Sequence, residues 1–172
     1  MIFMYGPYPE GNAELFSLLA APSFDAARAE ELIKHIPRID ALVVDRMNHP
    51  TFPTTYLNAA TEKNIIEAVR LLFQYGADPN FNSGDDDVCP FWDLQYCEED
   101  PAWNTVHLEI AKLFLEQGAD PNLPAINEWE TLYEWVYYKD GEDDWPLENG
   151  KNYVHEFLKL LEAYGGRFRS GQ

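Results

Sequence analysis

Positive charge is scarce in this chain. Its 172 residues hold 12 Lys and Arg against 30 Asp and Glu, a net charge of −18. Direct binding to nucleic acid or to an anionic membrane surface is therefore not expected, since both need basic patches that neutralise phosphates. Cysteine is scarce too: Cys89 and Cys97 are the only two. They are too few for a disulfide framework and wrongly spaced for a zinc site, so both are expected as reduced, structural thiols. No apolar run approaches the roughly 20 residues that span a bilayer. Residues 1–8 place no Lys or Arg ahead of an apolar stretch, so the start does not read as a signal peptide, and a soluble, cytoplasmic protein is expected. Catalytic patterns are missing as well. His35, His49, His107 and His155 are scattered, with no HExxH and no ligand spacing around them. Asp78-x-Asn80-x-Asn82 opens like a calcium loop, but its glycine is displaced to Gly84 and Cys89 stands where the closing glutamate belongs. No catalytic residue, metal or cofactor is expected.

What the chain does contain is a phrase used twice. Leu71-Leu72-Phe73-Gln74-Tyr75-Gly76-Ala77-Asp78-Pro79-Asn80 returns as Leu113-Phe114-Leu115-Glu116-Gln117-Gly118-Ala119-Asp120-Pro121-Asn122. Each copy reads as the last turns of a helix, a glycine in the left-handed conformation that ends it, and a turn. Helical spacing places a helix pair at 13–20 and 25–36, a second at 55–60 and 63–75, a third at 89–94 and 105–117, and a fourth at 130–135 and 151–164. Aligned on Gly76, Gly118 and Gly165, the long helices put Glu67, Glu109 and Glu156 in one column and Arg70, Lys112 and Lys159 three residues on, as exposed i, i+3 pairs. Ala68, Ile110 and Phe157 share an apolar column. Glu162 falls in the column of Leu115, as the last of a stack requires when nothing packs on its outer side.

These features resemble the ankyrin repeat family, in which a short helix, a second helix and a Gly-Ala-Asp-x-Asn turn recur. The resemblance covers residues 54–165 well and 12–40 weakly. It implies an all-α fold: one domain, a solenoid of about four helix-pair units with β-turn fingers, near 12–40, 54–80, 88–122 and 129–168. The family's histidine slot is filled by Asn58, Trp92 and Tyr133, and only Pro90 keeps its proline. The family period is about 33 residues, whereas the three glycines lie 42 and then 47 residues apart. Taking the second unit as a ruler, the excess falls between the two helices of the third and fourth units and is expected as loop insertions. They carry Glu98, Glu99, Asp100 and Trp103 in one, and Asp143, Asp144 and Trp145 in the other.

The charge is concentrated in the same place. Residues 85–148 hold 18 acidic side chains against Lys112 and Lys139, together with all five tryptophans. Trp135 and some of the tyrosines are expected in the core, and the rest as aromatic anchors amid carboxylates, a composition suited to a basic protein surface. The family's concave face would add Asn82, Asp85, Asp86, Trp92, Asp93, Tyr96, Trp129, Glu130, Tyr133, Glu134 and Tyr137. The expectation is a protein-binding module, monomeric when free, that captures a basic partner. Small acidic solenoids are similar to bacterial immunity proteins that neutralise toxins, nucleases among them, and this implies an inhibitor. A structural adaptor in a larger assembly and a metal-dependent enzyme are the alternatives.

Overall fold

The computed structural model describes residues 9–21, 23–44, 53–83, 88–124, 130–141 and 148–169. They form eight helices and a two-stranded antiparallel sheet: α1 (Ala13–Leu19), α2 (Ala26–Ile33), β1 (Val43–Val44), β2 (Pro53–Thr54), α3 (Tyr56–Glu62), α4 (Ile66–Gln74), α5 (Pro90–Asp93), α6 (Pro101–Glu116), α7 (Leu132–Asp140) and α8 (Glu148–Ala163). The protein is mostly helical, as expected.

Local chemistry sets the starts. Asn12, Asp25, Thr55 and Asp100 each accept a backbone N–H of the first turn of α1, α2, α3 and α6, and Pro90 and Pro101 open α5 and α6, where no N–H is needed. Thr131 and Glu134 form a reciprocal capping box at α7.

The ends follow one pattern three times. Ala77 N–H donates to the Leu72 carbonyl, Ala119 to Phe114 and Gly166 to Leu161, closing Schellman-type stops around Gly76, Gly118 and Gly165 at φ of 84°, 93° and 94°. A Cβ on Gly118 would meet nothing within 4 Å, so the whole cost of a side chain there is backbone strain. Gly118→Val is expected to destabilise by at least about 1–2 kcal/mol, measured as a drop in melting temperature.

The Asp-Pro-Asn part of the phrase also acquires a physical meaning. Asp78 and Asp120 accept the N–H of Asn80 and Asn122 two residues on, closing the turn. The asparagines then reach forward. Asn80 accepts the Asp120 N–H at 2.7 Å and donates to the Gly118 carbonyl at 2.9 Å. Asn122 does the same to Arg167 and Gly165 at 2.8 and 3.2 Å. Consecutive helix stops are clasped to one another by backbone-specific bonds.

Packing is serial. α1 lies on α2 and α3, α3 on α4 and α5, α2 on α4, α4 on α6, α6 on α8, and α7 on α8. One apolar core runs through these pairs, with Phe16, Leu57, Leu72, Phe91, Phe114, Leu132 and Phe157 sealed from solvent. In the Leu115 column, Phe73 and Leu115 are buried and Glu162 is exposed. Glu156 and Lys159 pair at 2.8 Å as the i, i+3 reading required, whereas Lys112 reaches Glu116 at 3.7 Å.

Several boundaries differ from expectation: α2 stops at Ile33, short of 36, and α7 runs on to Asp140, beyond 135. The helix expected over 63–75 begins at Ile66, because Asn64 takes a left-handed φ of 57° and separates α3 from α4. The helix expected from 105 begins at Pro101. The one expected from 151 begins at Glu148. α6 and α8 each run 16 residues against 9 in α4. Much of the extra length is thus two added helical turns and not loop, because Asp100 and Pro101 supply an N-cap and first position early enough to start α6 ahead of Trp103.

Candidate functional site

The expected partner-binding residues divide into four groups. Asp85, Asp86, Trp129, Asp143, Asp144 and Trp145 lie outside the described residues, so much of the second insertion does too.

A second group faces solvent. Tyr96 is 64% exposed and is followed by the exposed carboxylates of Glu98, Glu99 and Asp100 in the α5–α6 connection. Tyr137 is exposed on α7, and Glu130 half-buried just before it.

A third group belongs to the scaffold. Trp103, expected as a loop anchor, is half-buried in the first turn of α6, stacked on His107 with ring centroids 4.2 Å apart. Its carbonyl accepts the Asn64 side chain at 2.8 Å. Trp92 meets Trp135 edge-on at 6.5 Å, tying α5 to α7, and its indole N–H donates to the Leu123 carbonyl. Tyr133 and Glu134 are buried. Glu134 accepts the N–H groups of Thr131 at 2.9 Å and Arg169 at 3.0 Å. Burial pushes its carboxyl up, but those N–H groups and the Thr131 hydroxyl outweigh that and hold it below the usual range. These carboxylate oxygens are used inside the molecule. The capping box was legible as Thr131-x-x-Glu134, and it shifts the register of unit four: Glu134, not Tyr133, occupies the third helical position that Asn58 and Trp92 hold after their own caps Thr55 and Cys89.

Asp93 forms the fourth group with residues that the sequence reading did not connect. It ends α5, facing α3. The Asn58 amide donates to Glu62 Oε1 at 2.8 Å and is also hydrogen-bonded to the Asp93 carboxyl. Asp93 Oδ2 and Asn58 Oδ1 are both shielded from solvent and without a hydrogen-bond partner. Burial, and secondarily the like charge of Glu62, pushes the Asp93 carboxyl up to about 8 against the opposing pull of Asn58. Nearby, burial holds the His107 imidazole down to about 4, with the Asp93 backbone pulling the other way. His107 Nδ1 lies 3.0 Å from Asn64 Oδ1. Burial raises the Cys89 thiol to about 11, and Cys89 and Cys97 both carry free thiols.

An aromatic patch at the far end was also missed in part. Phe168 packs edge-on against Tyr137 at 4.8 Å and Tyr133 at 5.5 Å, and lies 6.2 Å from Tyr138. Tyr137, Tyr138 and Phe168 remain 44%, 53% and 43% exposed. Residues 167–169 gave no periodic signal; the Asn122 clasp on Arg167 and the Glu134 bond to the Arg169 N–H hold Phe168 there from both sides. A cleft of about 560 Å³ adjoins it, lined by Asn122, Thr131 and Arg167 among others.

Among the described residues, no three His, Cys, Asp or Glu side chains converge as metal ligands, and no helix is long and apolar enough to cross a membrane. Compared with known proteins, the chain matches no family model and no curated protein.

Proposed function

We propose that the chain is a non-enzymatic, ankyrin-type binding protein of the cytoplasm, whose acidic and aromatic half captures a basic protein surface. An inhibitor of the immunity type, masking a nuclease-like toxin, is the form that fits best. The solenoid reading is supported by the repeated Schellman stops, the Asn80 and Asn122 clasps and the serial packing of helix pairs. The observation that carries the binding reading is the contiguous patch of Tyr137, Tyr138 and Phe168, three large rings in contact that stay more than two-fifths exposed. Rigid aromatic side chains held out of the core supply contact area at little entropic cost, and such rings dominate interface energetics. The carboxylates of residues 85–148, where −16 of the net charge lies, would steer a cationic partner to it.

The test is affinity capture of a basic partner, followed by kinetics. Association is expected to slow steeply between 50 and 500 mM salt, roughly tenfold or more for an electrostatically steered encounter. Tyr137→Ala with Tyr138→Ala is expected to weaken the complex by about 2 kcal/mol or more, mostly through faster dissociation, with helix content unchanged. Binding that ignores salt, or that survives loss of both rings, would overturn this reading.

A further inference from the structure

The third helix stop departs from the other two just past its glycine. Gly76-Ala77-Asp78-Pro79-Asn80 and Gly118-Ala119-Asp120-Pro121-Asn122 are followed in the same register by Gly165-Gly166-Arg167-Phe168-Arg169. Arg167 keeps the clasp of its predecessors: its N–H donates to Asn122 Oδ1 at 2.8 Å, as that of Asp120 does to Asn80 at 2.7 Å. Phe168 and Arg169 have a different seat. Where Asn80 and Asn122 reach forward to the next stop, Arg169 lies on α7. Its N–H donates to Glu134 Oε1 at 3.0 Å, and its Nε is 3.7 Å from Glu134 Oε2. Phe168 packs edge-on against Tyr133, and a Cβ added to Gly166 would come within 2.6 Å of that same ring. One helix thus offers a buried carboxylate and the rings of Tyr133 and Tyr137, with Glu162 Oε1 3.5 Å from the Tyr133 hydroxyl. A shielded carboxylate needs a donor, and edge-on packing favours a further ring, so the seat suits an aromatic residue and a cation together.

The present occupant fits it loosely. Phe168 is 43% exposed and lies outside the apolar core. The Arg169–Glu134 ion pair is long beside those of Arg28–Glu14 at 2.6 Å and Lys159–Glu156 at 2.8 Å. The cleft of about 560 Å³ adjoins the seat, lined by Arg167, Phe168 and Arg169 and by Asp120 and Asn122 of the preceding turn, so a second extended segment has room to approach.

We propose that Phe168 and Arg169 hold, in the free chain, the place that an aromatic residue followed by arginine takes when the basic partner binds, so that segment 167–169 is an internal competitor which the partner displaces. The inference rests on the proposed capture of a basic protein and names the chemistry of one contact in that complex. Two of the chain's 12 basic residues flank Phe168, so the segment already has the composition expected of such a partner. On exchange, the partner's backbone N–H replaces that of Arg169 on Glu134 Oε1, its guanidinium faces the same carboxylate, and its ring packs against Tyr133 and Tyr137. Glu134 is then never left buried without a donor. Arginine serves better than lysine, because its planar fork meets a carboxylate with fixed geometry where an ammonium acts as a point charge.

The probe is the chain's own pentapeptide, acetyl-Gly-Arg-Phe-Arg-Ser-amide, titrated into the whole chain and followed by amide NMR shifts. Phe168→Ala with Arg169→Ala, which empties the seat, is expected to bind it about tenfold or more tightly than the wild type, as for a wild-type seat open no more than about a tenth of the time. Acetyl-Gly-Glu-Phe-Glu-Ser-amide and acetyl-Gly-Arg-Ala-Arg-Ser-amide are each expected to bind the emptied chain about tenfold or more weakly. Adding Tyr137→Ala is expected to cancel the gain. If the double variant loses helix content, Phe168→Ala alone, at a ring outside the core, carries the comparison with a gain of about threefold. Equal binding by wild type and emptied chain, equal binding of the three peptides, or no shifts in either chain would overturn the seat. Capture of a basic partner would then still stand, since affinity capture and its salt dependence decide that separately. A chain that takes the peptide but captures no basic protein would overturn the capture instead.

Discussion

Phe114→Ala is expected to destabilise the protein by about 3–5 kcal/mol, a large part of the 5–15 kcal/mol that holds a typical domain together. Phe114 is completely buried on α6. It stacks on Phe91 of α5 with centroids 5.5 Å apart and an interplanar angle of 12°, and meets Phe73 of α4 edge-on at 4.9 Å. Its carbonyl also accepts the Ala119 N–H that closes the helix stop. One side chain therefore joins three helices of two successive pairs. Alanine would leave a cavity that α4 and α5 cannot both close, each being fixed on its other side by α3. The measurement is the urea midpoint with its slope. Tyr96→Ala, at a ring 64% exposed, is the control and should change stability by less than about 0.5 kcal/mol. A loss below 1 kcal/mol for Phe114→Ala would show that the helix pairs do not share one core.

Stability is expected to be nearly level between pH 4 and 6.5 and then to fall by about 1–2 kcal/mol up to pH 8, allowing for solvent screening of the half-buried Asp93. Two groups, the half-buried Asp93 and the buried His107, produce this shape. An unfolded aspartate titrates near 3.9, whereas folded Asp93 holds its proton to about 8. Below pH 4 both states are protonated and Asp93 costs nothing. Above that the unfolded chain alone loses the proton, so stability drops by up to about 1.4 kcal/mol per pH unit until the folded group ionises. His107 acts in the opposite sense. Above about 6.5 it is neutral in both states; on acidification the unfolded chain gains a proton that the folded chain, holding out to about 4, does not accept. Its contribution is therefore lost as pH falls. From 4 to 6.5 the two slopes oppose, and from 6.5 to 8 only that of Asp93 remains. Asp93→Asn, which keeps the shape and removes the ionisation, is expected to raise stability at pH 8 by at least about 2 kcal/mol and to change little at pH 4. Urea unfolding of both proteins at pH 4, 6.5 and 8 tests this, and parallel profiles would contradict it.

The sequence alone established the helix stops and most of the helices. Glycine after an apolar helical run is a local signal: only a residue free of Cβ takes φ near 90° without strain, and Gly76 and Gly118, each before Ala-Asp-Pro-Asn, and Gly165, before Gly166, all do. The apolar columns through Ala68, Ile110 and Phe157 are likewise local, because a 3.6-residue period fixes which side of a helix is buried. Thr131 and Glu134 carried a capping signal that explains why Glu134 is internal.

Tertiary structure decided the rest. Asp100 and Pro101 start α6 locally, but that Trp103 lies half-buried against the fold and not out as a loop anchor depends on Asn64, 39 residues earlier, binding its carbonyl. Phe168 joins the aromatic patch because Asn122, 45 residues before Arg167, and Glu134, 35 before Arg169, hold the backbone on either side of it. Asp93 reads in the sequence as one more acidic residue in an acidic region. It becomes a distinct chemical group when α3 brings Asn58 and Glu62 against α5, for burial and like charge are properties of neighbours that no spacing along the chain encodes.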